Sequence, residues 1–282
     1  MATTTLTTDQ PPKGLSIHLG LNGVDPQHYG GWDGALAGAE NDARAMAALA
    51  DDQGLQSTLL QGRRATRAAL LTALRAGLKR LAPADLLFIS FSGFGGRMPN
   101  VVGGETVDRQ SLSWCLHDGQ WLEPELWALL RRVPAGVRVL LVIDSSHSGT
   151  VTRAAPPALG ASTGAPRIKL MPTAVSLRTY TGHKAFYDKL HKDLALAAAA
   201  APAADPPTVV LRGAQDNQVA MDGAALGPFT ARLLAVWQAG GFQGDHVRFH
   251  KQLVAGMPTT QTALLFTRGD AKTLLGQRPF TV

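Results

Sequence analysis

The chain has 282 residues, which is enough for one large α/β domain or two small ones, with ordinary hydrophobic (45%) and charged (17%) fractions. A single cysteine, Cys115, excludes an internal disulfide framework and a zinc site built from several thiolates, and it is typical of a reducing compartment. The net charge of +6 comes from scattered basic residues without interleaved aromatics, so we expect no nucleic-acid partner.

The first 13 residues lack a basic start followed by an apolar run, so we predict a disordered tail there and no signal peptide. No segment reaches the roughly 18 consecutive apolar residues that a membrane helix needs. We therefore expect no membrane contact and a cytoplasmic location.

The first half of the chain repeats a strand followed by a helix. Residues 15–24 are rich in strand formers, and residues 36–49 carry apolar side chains every three or four positions, as one face of a helix does. A second strand at 56–62 precedes a helix with leucines at 71, 74, 78 and 81, and a third strand spans 84–94. This order is typical of an α/β fold.

The second half begins with a glycine-rich stretch at 95–120, which predicts a surface loop or small hairpin, followed by a helix near 123–133 and a strand at 137–146. Residues 150–182 contain prolines, glycines and scattered basic residues, and they predict an exposed linker. After it we expect a helix at 183–200, a strand at 207–213, two helices, and a last strand at 262–268.

Near-continuous runs of Val, Leu and Ile in these strands indicate burial on both faces, hence a mainly parallel sheet between helices. We predict a large lobe at 14–150, a linker at 151–182 and a small lobe at 183–282 within one domain. In such sheets ligands bind beyond the carboxyl ends of the strands.

Two strand ends carry the unusual residues: Ser92-Gly93-Phe94-Gly95-Gly96 after the third strand and Asp144-Ser145-Ser146-His147-Ser148-Gly149 after the fourth. They resemble the Y-S-G-H-G-G and D-S-C-H-S-G motifs of caspase-like peptidases, especially bacterial metacaspases, and the likeness spans residues 14–266. Phe94 and Ser146 stand at the catalytic His and Cys positions, 52 residues apart, where the family spacing is about 50.

The resemblance implies a three-layer caspase-like α/β fold with a mainly parallel six-stranded sheet and helices on both faces. It also implies that Asp42, Ser92 and Asp144 line a pocket for a basic substrate side chain, and it places Asp216 near the same cleft. Each residue also has a simpler interpretation: Asp42 as an exposed helix residue, Ser92 as a turn residue and Asp144 as a cap.

Three functional hypotheses stay open at this point. The first is a catalytically inactive protein that binds a peptide or protein partner through a basic residue, because Phe94 cannot accept a proton. The second is a hydrolase that uses Ser146 with His147 or His117 as base. The third is a cysteine endopeptidase silenced on purpose. We expect no metal or other cofactor, while calcium dependence and oligomeric state stay open because the sequence does not determine them.

Overall fold

The computed structural model describes residues 13–100, 110–147, 167–200 and 204–282. A six-stranded sheet in the order β2-β1-β3-β7-β8-β9 forms the centre of the molecule. Its strands are β1 (Gly14–Gly20), β2 (Gln56–Gln61), β3 (Leu86–Ser92), β7 (Arg138–Asp144), β8 (Thr208–Arg212) and β9 (Leu264–Arg268). Strands β2, β1, β3, β7 and β8 run parallel to one another, and β9 at the edge is antiparallel to β8.

Eight helices of the described residues surround the sheet, and alternate strand residues face the two helical layers. The helices are α1 (Ala39–Asp52), α2 (Arg67–Leu78), α3 (Glu123–Leu130), α4 (Thr173–Gly182), α5 (Lys184–Ala200), α6 (Pro228–Trp237), α7 (His246–Ala255) and α8 (Lys272–Leu275). In β3, Leu87 and Ile89 pack in the core that α2 and α3 cover, whereas Leu86 and Phe88 pack in the core that α1, α6 and α7 cover. Burial on both faces explains the continuous apolar runs, and the predicted three-layer architecture is confirmed.

A second, antiparallel sheet lies where the sequence predicts a surface loop or small hairpin. It contains β4 (Gly95–Pro99), β5 (Gln110–Leu116) and β6 (Gly119–Leu122). Trp114 is buried and stacks on Phe91, with ring centroids 4.8 Å apart. The prediction of a surface loop is therefore wrong for this segment, because its aromatic residues complete the core beside β3. The alternative of a small hairpin is confirmed by the antiparallel pairing of β5 with β6.

The prediction of an exposed linker at 151–182 is wrong for residues 167–182, and residues 151–166 lie outside the described part of the chain. Thr173–Gly182 forms α4, which packs against β4 and buries Val175 and Tyr180. Just before this helix, Lys169 is fully buried. The division into two lobes and the tail stays a prediction.

Within the described ranges, no helix is both long and apolar enough to cross a membrane.

Candidate functional site

Three residues of the predicted pocket meet at the carboxyl edge of the sheet. Strands β3 and β7 are adjacent and parallel, and their register places Ser92 opposite Asp144 at the last paired position. Asp42 reaches the same point from the first turn of α1, where Ser92 Oγ donates a hydrogen bond of 2.8 Å to Asp42 Oδ2. All three side chains are buried, so the structure brings Asp42, Ser92 and Asp144 together as a closed pocket.

The side chain of Lys169 fills this pocket. Its ammonium lies 2.8 Å from Asp42 Oδ2 and 2.5 Å from Asp144 Oδ2, and it is 2.9 Å from Ser92 Oγ. The Lys169 side chain is 0% exposed. A pocket that the sequence suggests for a foreign basic residue therefore holds a basic residue of the same chain.

The charges in the pocket explain why Lys169 is stable there. Burial alone would lower the pKa of the Lys169 ammonium, but Asp144 and Asp42 outweigh it, and the pKa lies above its ordinary value. Burial raises the pKa of Asp144 to about 6, with Lys169 opposing that rise and Asp42 adding to it. The ammonium is thus held in its charged form between two carboxylates that would otherwise repel each other.

Glycines and backbone groups complete the pocket wall. The Gly227 N–H donates to Asp42 Oδ1 over 2.8 Å, which fixes the carboxylate that Lys169 contacts. A Cβ atom at Gly227 would lie 2.7 Å from Lys169 Nζ and 2.8 Å from Asp144 Oδ2. A side chain at this position is incompatible with the bound ammonium.

Residues 167–171, here called the strap, lie across the cleft, with a bend at Lys169 between the isolated bridge residues Ile168 and Leu170. On one side, Lys169 N–H donates to the Ala220 carbonyl (2.9 Å) and Asp222 N–H donates to the Arg167 carbonyl (2.8 Å), with an antiparallel bridge between Ile168 and Met221. On the other side, Met171 N–H donates to the Gly95 carbonyl over 2.8 Å. The strap is thus bridged to one segment of the cleft on each side, and main-chain hydrogen bonds hold it as they hold peptides in β-augmentation.

The carbonyl oxygen of Lys169 is held by two backbone donors. Gly95 N–H lies 3.0 Å and Ser146 N–H lies 2.9 Å from this oxygen. Paired N–H donors at such distances are the arrangement that stabilises an oxyanion in acyl transfer. The Lys169 carbonyl oxygen therefore lies between two donors as the oxygen of a scissile carbonyl does in an oxyanion hole.

Among the described residues, the hydroxyl of Ser146 has no hydrogen bond to a side chain that could act as a base. Ser146 Oγ accepts a hydrogen bond of 2.6 Å from Ala220 N–H, and an accepted bond withdraws electron density from the oxygen. Phe94, at the other position that the resemblance assigns to catalysis, carries no proton acceptor. Its ring packs edge-on against Trp32 with centroids 4.7 Å apart.

His147, a candidate base of the hydrolase hypothesis, is buried. Its Nε2 makes no hydrogen bond to the described residues, and the nearest carboxylate, Glu123, lies 3.9 Å away. Glu123 instead pairs with Arg212 at 2.7 Å. Burial, then the nearby Arg212 charge, lower the pKa of His147 to about 3, so the ring is neutral at pH 7.

The other two predicted residues lie apart from the pocket. The Asp216 side chain is 79% exposed and faces Arg212 at 3.7 Å. His117 donates its backbone N–H to Ala65 and accepts from Asp25 through its carbonyl. Neither contributes to the contacts of Lys169 or to those of Ser146 Oγ within the described chain.

Lys169, Ala220, Asp222 and Gly227 are site residues that the pocket prediction lacks. Lys169 belongs to the basic residues of the predicted linker, and its flanking apolar residues, in the sequence Ile-Lys-Leu-Met, are the one local signal of burial. Asp222 accepts from the N–H groups of Ala37 (2.6 Å) and Gly38 (3.0 Å) before α1, a tertiary contact without a sequence signal.

The described residues contain no group of three or more His, Cys, Asp or Glu side chains that could hold a metal ion. The two acidic residues of the pocket, Asp42 and Asp144, are instead both paired with Lys169.

The chain is similar to caspase-domain proteins in both sequence and structure. The family model of the caspase domain (peptidase C14) matches residues 24–265. Metacaspase-1 of Coccidioides immitis is 30% identical over 157 residues, covering 49% of this chain and 32% of that protein. Metacaspase-1 of Schizosaccharomyces pombe is 27% identical over 151 residues, covering 49% and 34%. The chain thus aligns with about a third of the length of these curated relatives.

Two solved structures extend the likeness to the whole fold. Protein GSU0716 from Geobacter sulfurreducens superposes with a TM-score of 0.84 at 40% identity, covering 96% of this chain and 99% of that one. Caspase-1 from Spodoptera frugiperda superposes with a TM-score of 0.55 at 11% identity, covering 95% and 94%, which shows the fold alone. Together with the match over residues 24–265, these findings establish that the chain belongs to the caspase-domain (C14) family.

Proposed function

We propose that this protein is a catalytically inactive member of the caspase family that acts by binding Lys or Arg side chains in the pocket of Asp42, Ser92 and Asp144. The observation that carries the proposal is the seating of Lys169, whose ammonium contacts all three residues. A buried pair of carboxylates selects a charged donor, because an apolar side chain would leave both unpaired.

Loss of catalysis follows from the two substituted positions. General-base assistance contributes roughly 10² to 10⁴ in rate, and Phe94 supplies none. A serine hydroxyl is also a weaker nucleophile than a thiol at neutral pH, since a thiol with a pKa of about 8.5 is already partly ionised. Peptide-bond hydrolysis by Ser146 alone would therefore be slower by several orders of magnitude than in an enzyme with both groups.

The strap determines when a partner can bind. Lys169 and the backbone bonds of residues 167–171 occupy both the pocket and the cleft. An external basic residue must compete with this intramolecular ligand, whose effective concentration is high because it is part of the same chain. The protein thus binds its partner only when the strap leaves the cleft.

Chemical rescue tests the proposed binding function. The substitution Lys169→Ala removes three methylene groups and the ammonium, and n-propylammonium has the size and donors to replace them. We expect n-propylammonium to raise the Tm of Lys169→Ala and to leave the Tm of wild type unchanged. At ten times its Kd, the ligand should add about 1.4 kcal/mol to the free energy of unfolding of the variant. Tetramethylammonium carries the charge without N–H donors and serves as the control. Equal effects of the two cations, or none, would refute a selective basic pocket.

The same variant tests the lack of activity. Lys169→Ala empties the pocket and removes the side-chain contacts that hold the strap in the cleft, and fluorogenic Arg and Lys peptides should still stay uncleaved, as with wild type. A serine-directed phosphonate should leave Ser146 unlabelled in both proteins.

A second candidate function is a Ser146 hydrolase, favoured by the two N–H donors on the Lys169 carbonyl. Cleavage of basic peptides by Lys169→Ala that is lost in Lys169→Ala/Ser146→Ala would establish it and overturn the inactive assignment.

We also propose a bacterial origin and a cytoplasmic location. The support is the resemblance to bacterial metacaspases and the single cysteine, Cys115, which is buried.

A further inference from the structure

We infer that the aromatic cluster around Phe94 is a second binding subsite, for an apolar side chain two residues after the basic one. The cleft then recognises the pair basic-x-apolar rather than a lone Lys or Arg. This inference rests on the proposed function, since it assigns the chemistry of the partner that the pocket binds.

The spacing of the strap defines the two subsites. Gly95 binds the strap twice, donating its N–H to the Lys169 carbonyl (3.0 Å) and accepting from Met171 N–H (2.8 Å). These two bonds fix the backbone between positions 169 and 171. Lys169, at the bend of the strap, and Met171 are both buried, whereas Leu170, between them, is only half-buried.

Met171 is buried in an apolar environment that Phe94 helps to build. It is 3% exposed and belongs to one cluster with Phe94, Cys115 and Val175. Its Sδ lies 3.8 Å from Cys115 Sγ, and its methyl carbon would be 2.7 Å from a Cβ atom placed on Gly96. Thioethers pack favourably beside aromatic rings, so this subsite suits Met or a similar flexible apolar side chain.

The cluster gives Phe94 a role of its own. The phenyl ring is 5% exposed and fills the space between Trp32 and Gly34, where a Cβ atom on Gly34 would be 2.6 Å from the ring. An imidazole here would bring ring nitrogens into an apolar cluster, and buried polar groups without partners are costly. Phe94 therefore packs between Trp32, in the loop after β1, and the cluster that contains Met171 of the strap. It contributes to binding of the apolar side chain at the position where the family has a catalytic residue.

Labelled peptides test the second subsite. The receptor is the full chain with Lys169→Ala and Met171→Ala, which empties both subsites, and the probe is a fluorescein-labelled Arg-Ile-Lys-Leu-Met-Pro peptide. Replacing Met by Ala in the peptide should weaken binding about tenfold to a hundredfold, as expected for burial of a large apolar side chain. The matched change of Leu to Ala should weaken it by less than about threefold, because Leu170 is only half-buried.

A further receptor variant identifies Phe94 as the contact. Adding Phe94→Ala should weaken binding of the Met peptide but leave binding of the Ala peptide nearly unchanged, which is the signature of a direct coupling in a double-mutant cycle.

The outcomes separate this inference from the proposed function. Binding that requires Lys and Met supports both. Binding that requires Lys but tolerates Ala for Met overturns the second subsite alone. Binding that survives replacement of Lys by Ala, or no binding by a folded receptor, overturns the basic pocket as well.

Limited trypsin digestion gives an answer even if the doubly substituted receptor does not fold. Cleavage after Lys169 requires the strap to leave the cleft, so its rate reports the opening equilibrium when reclosure is fast. In the otherwise wild-type chain, Met171→Ala should accelerate this cleavage about tenfold, consistent with the loss of apolar burial. Leu170→Ala should accelerate it much less. Equal acceleration by the two variants, or none, overturns the inference.

Discussion

Removal of the Lys169 side chain should strongly destabilise the protein. Lys169→Ala leaves Asp42 and Asp144 buried side by side without the ammonium that lies 2.8 and 2.5 Å from them. Breaking a buried ion pair by removing one partner costs about 3 to 5 kcal/mol. Since total stabilities of domains are about 5 to 15 kcal/mol, this single contact accounts for a large share.

The expected loss is measurable as a shift in Tm at pH 8. For a chain of 282 residues each kcal/mol lowers the Tm by about 2 °C, so Lys169→Ala should melt about 6 to 10 °C below wild type. Differential scanning calorimetry measures the shift directly. Urea titration should give a lower midpoint with an unchanged slope, because the surface exposed on unfolding is nearly the same.

Two further variants separate the causes. Lys169→Met restores most of the side-chain volume without the charge, and it should recover less than half of the lost stability because the carboxylates stay unpaired. Lys189→Ala breaks an ion pair with Asp193 whose side chains are 75% and 57% exposed, and it should shift the Tm by no more than about 2 °C. A Tm of Lys169→Ala as close to wild type as that of this control would refute the buried contact.

Three further predictions concern pH and packing. The loss of unfolding free energy caused by Lys169→Ala should be smaller at pH 5 than at pH 8 in parallel calorimetric scans. The pKa of Asp144 is already raised to about 6, and removal of Lys169 raises it further. Because a raised carboxyl pKa makes folding more favourable as the pH falls through it, the variant gains more stability on acidification than wild type does. A cost that grows on acidification would contradict the arrangement. Gly227→Ala should lower stability by about 1 to 3 kcal/mol through overpacking, whereas Gly182→Ala, with open space around it, should be neutral or stabilising. The free energy of unfolding of wild type should fall by about 1.4 kcal/mol per pH unit for each deeply buried histidine as the pH drops below about 6.5. Burial lowers the pKa of three such histidines, so they bind protons in the unfolded chain but not in the folded one. They are His18 (pKa about 3), His147 (about 3) and His246 (about 4). Flat denaturation midpoints between pH 6.5 and pH 5 would refute this.

The sheet could be predicted from the sequence because its strands are buried on both faces. Strands β3 and β7 have near-continuous apolar sequences and no exposed residue, which is a strong local signal. Helix α4 gave no such signal. Its sequence, Thr-Ala-Val-Ser-Leu-Arg-Thr-Tyr-Thr-Gly, contains residues of modest helix propensity, and it is stabilised by packing on β4, which sequence periodicity does not reveal.

The pocket residues could be predicted, but their occupant could not. Asp42, Ser92 and Asp144 stand in short motifs at strand ends or in the first turn of a helix, where the family resemblance assigns them. Lys169 is 127 residues from Asp42 along the chain. A contact between such distant residues depends on the path of the backbone, which composition alone had suggested to be an exposed linker.

Restoring the two substituted residues tests the central claim, that the strap lies in the cleft as an uncut substrate. The variant Phe94→His/Ser146→Cys, with folding checked by circular dichroism, is incubated and its fragments are measured by mass spectrometry. The substrate-like geometry of Lys169 predicts cleavage of the Lys169–Leu170 bond, giving fragments 1–169 and 170–282, and no such cleavage when Lys169→Ala is added. A folded Phe94→His/Ser146→Cys chain that stays intact, or that is cut elsewhere with Lys169–Leu170 untouched, would contradict the claim.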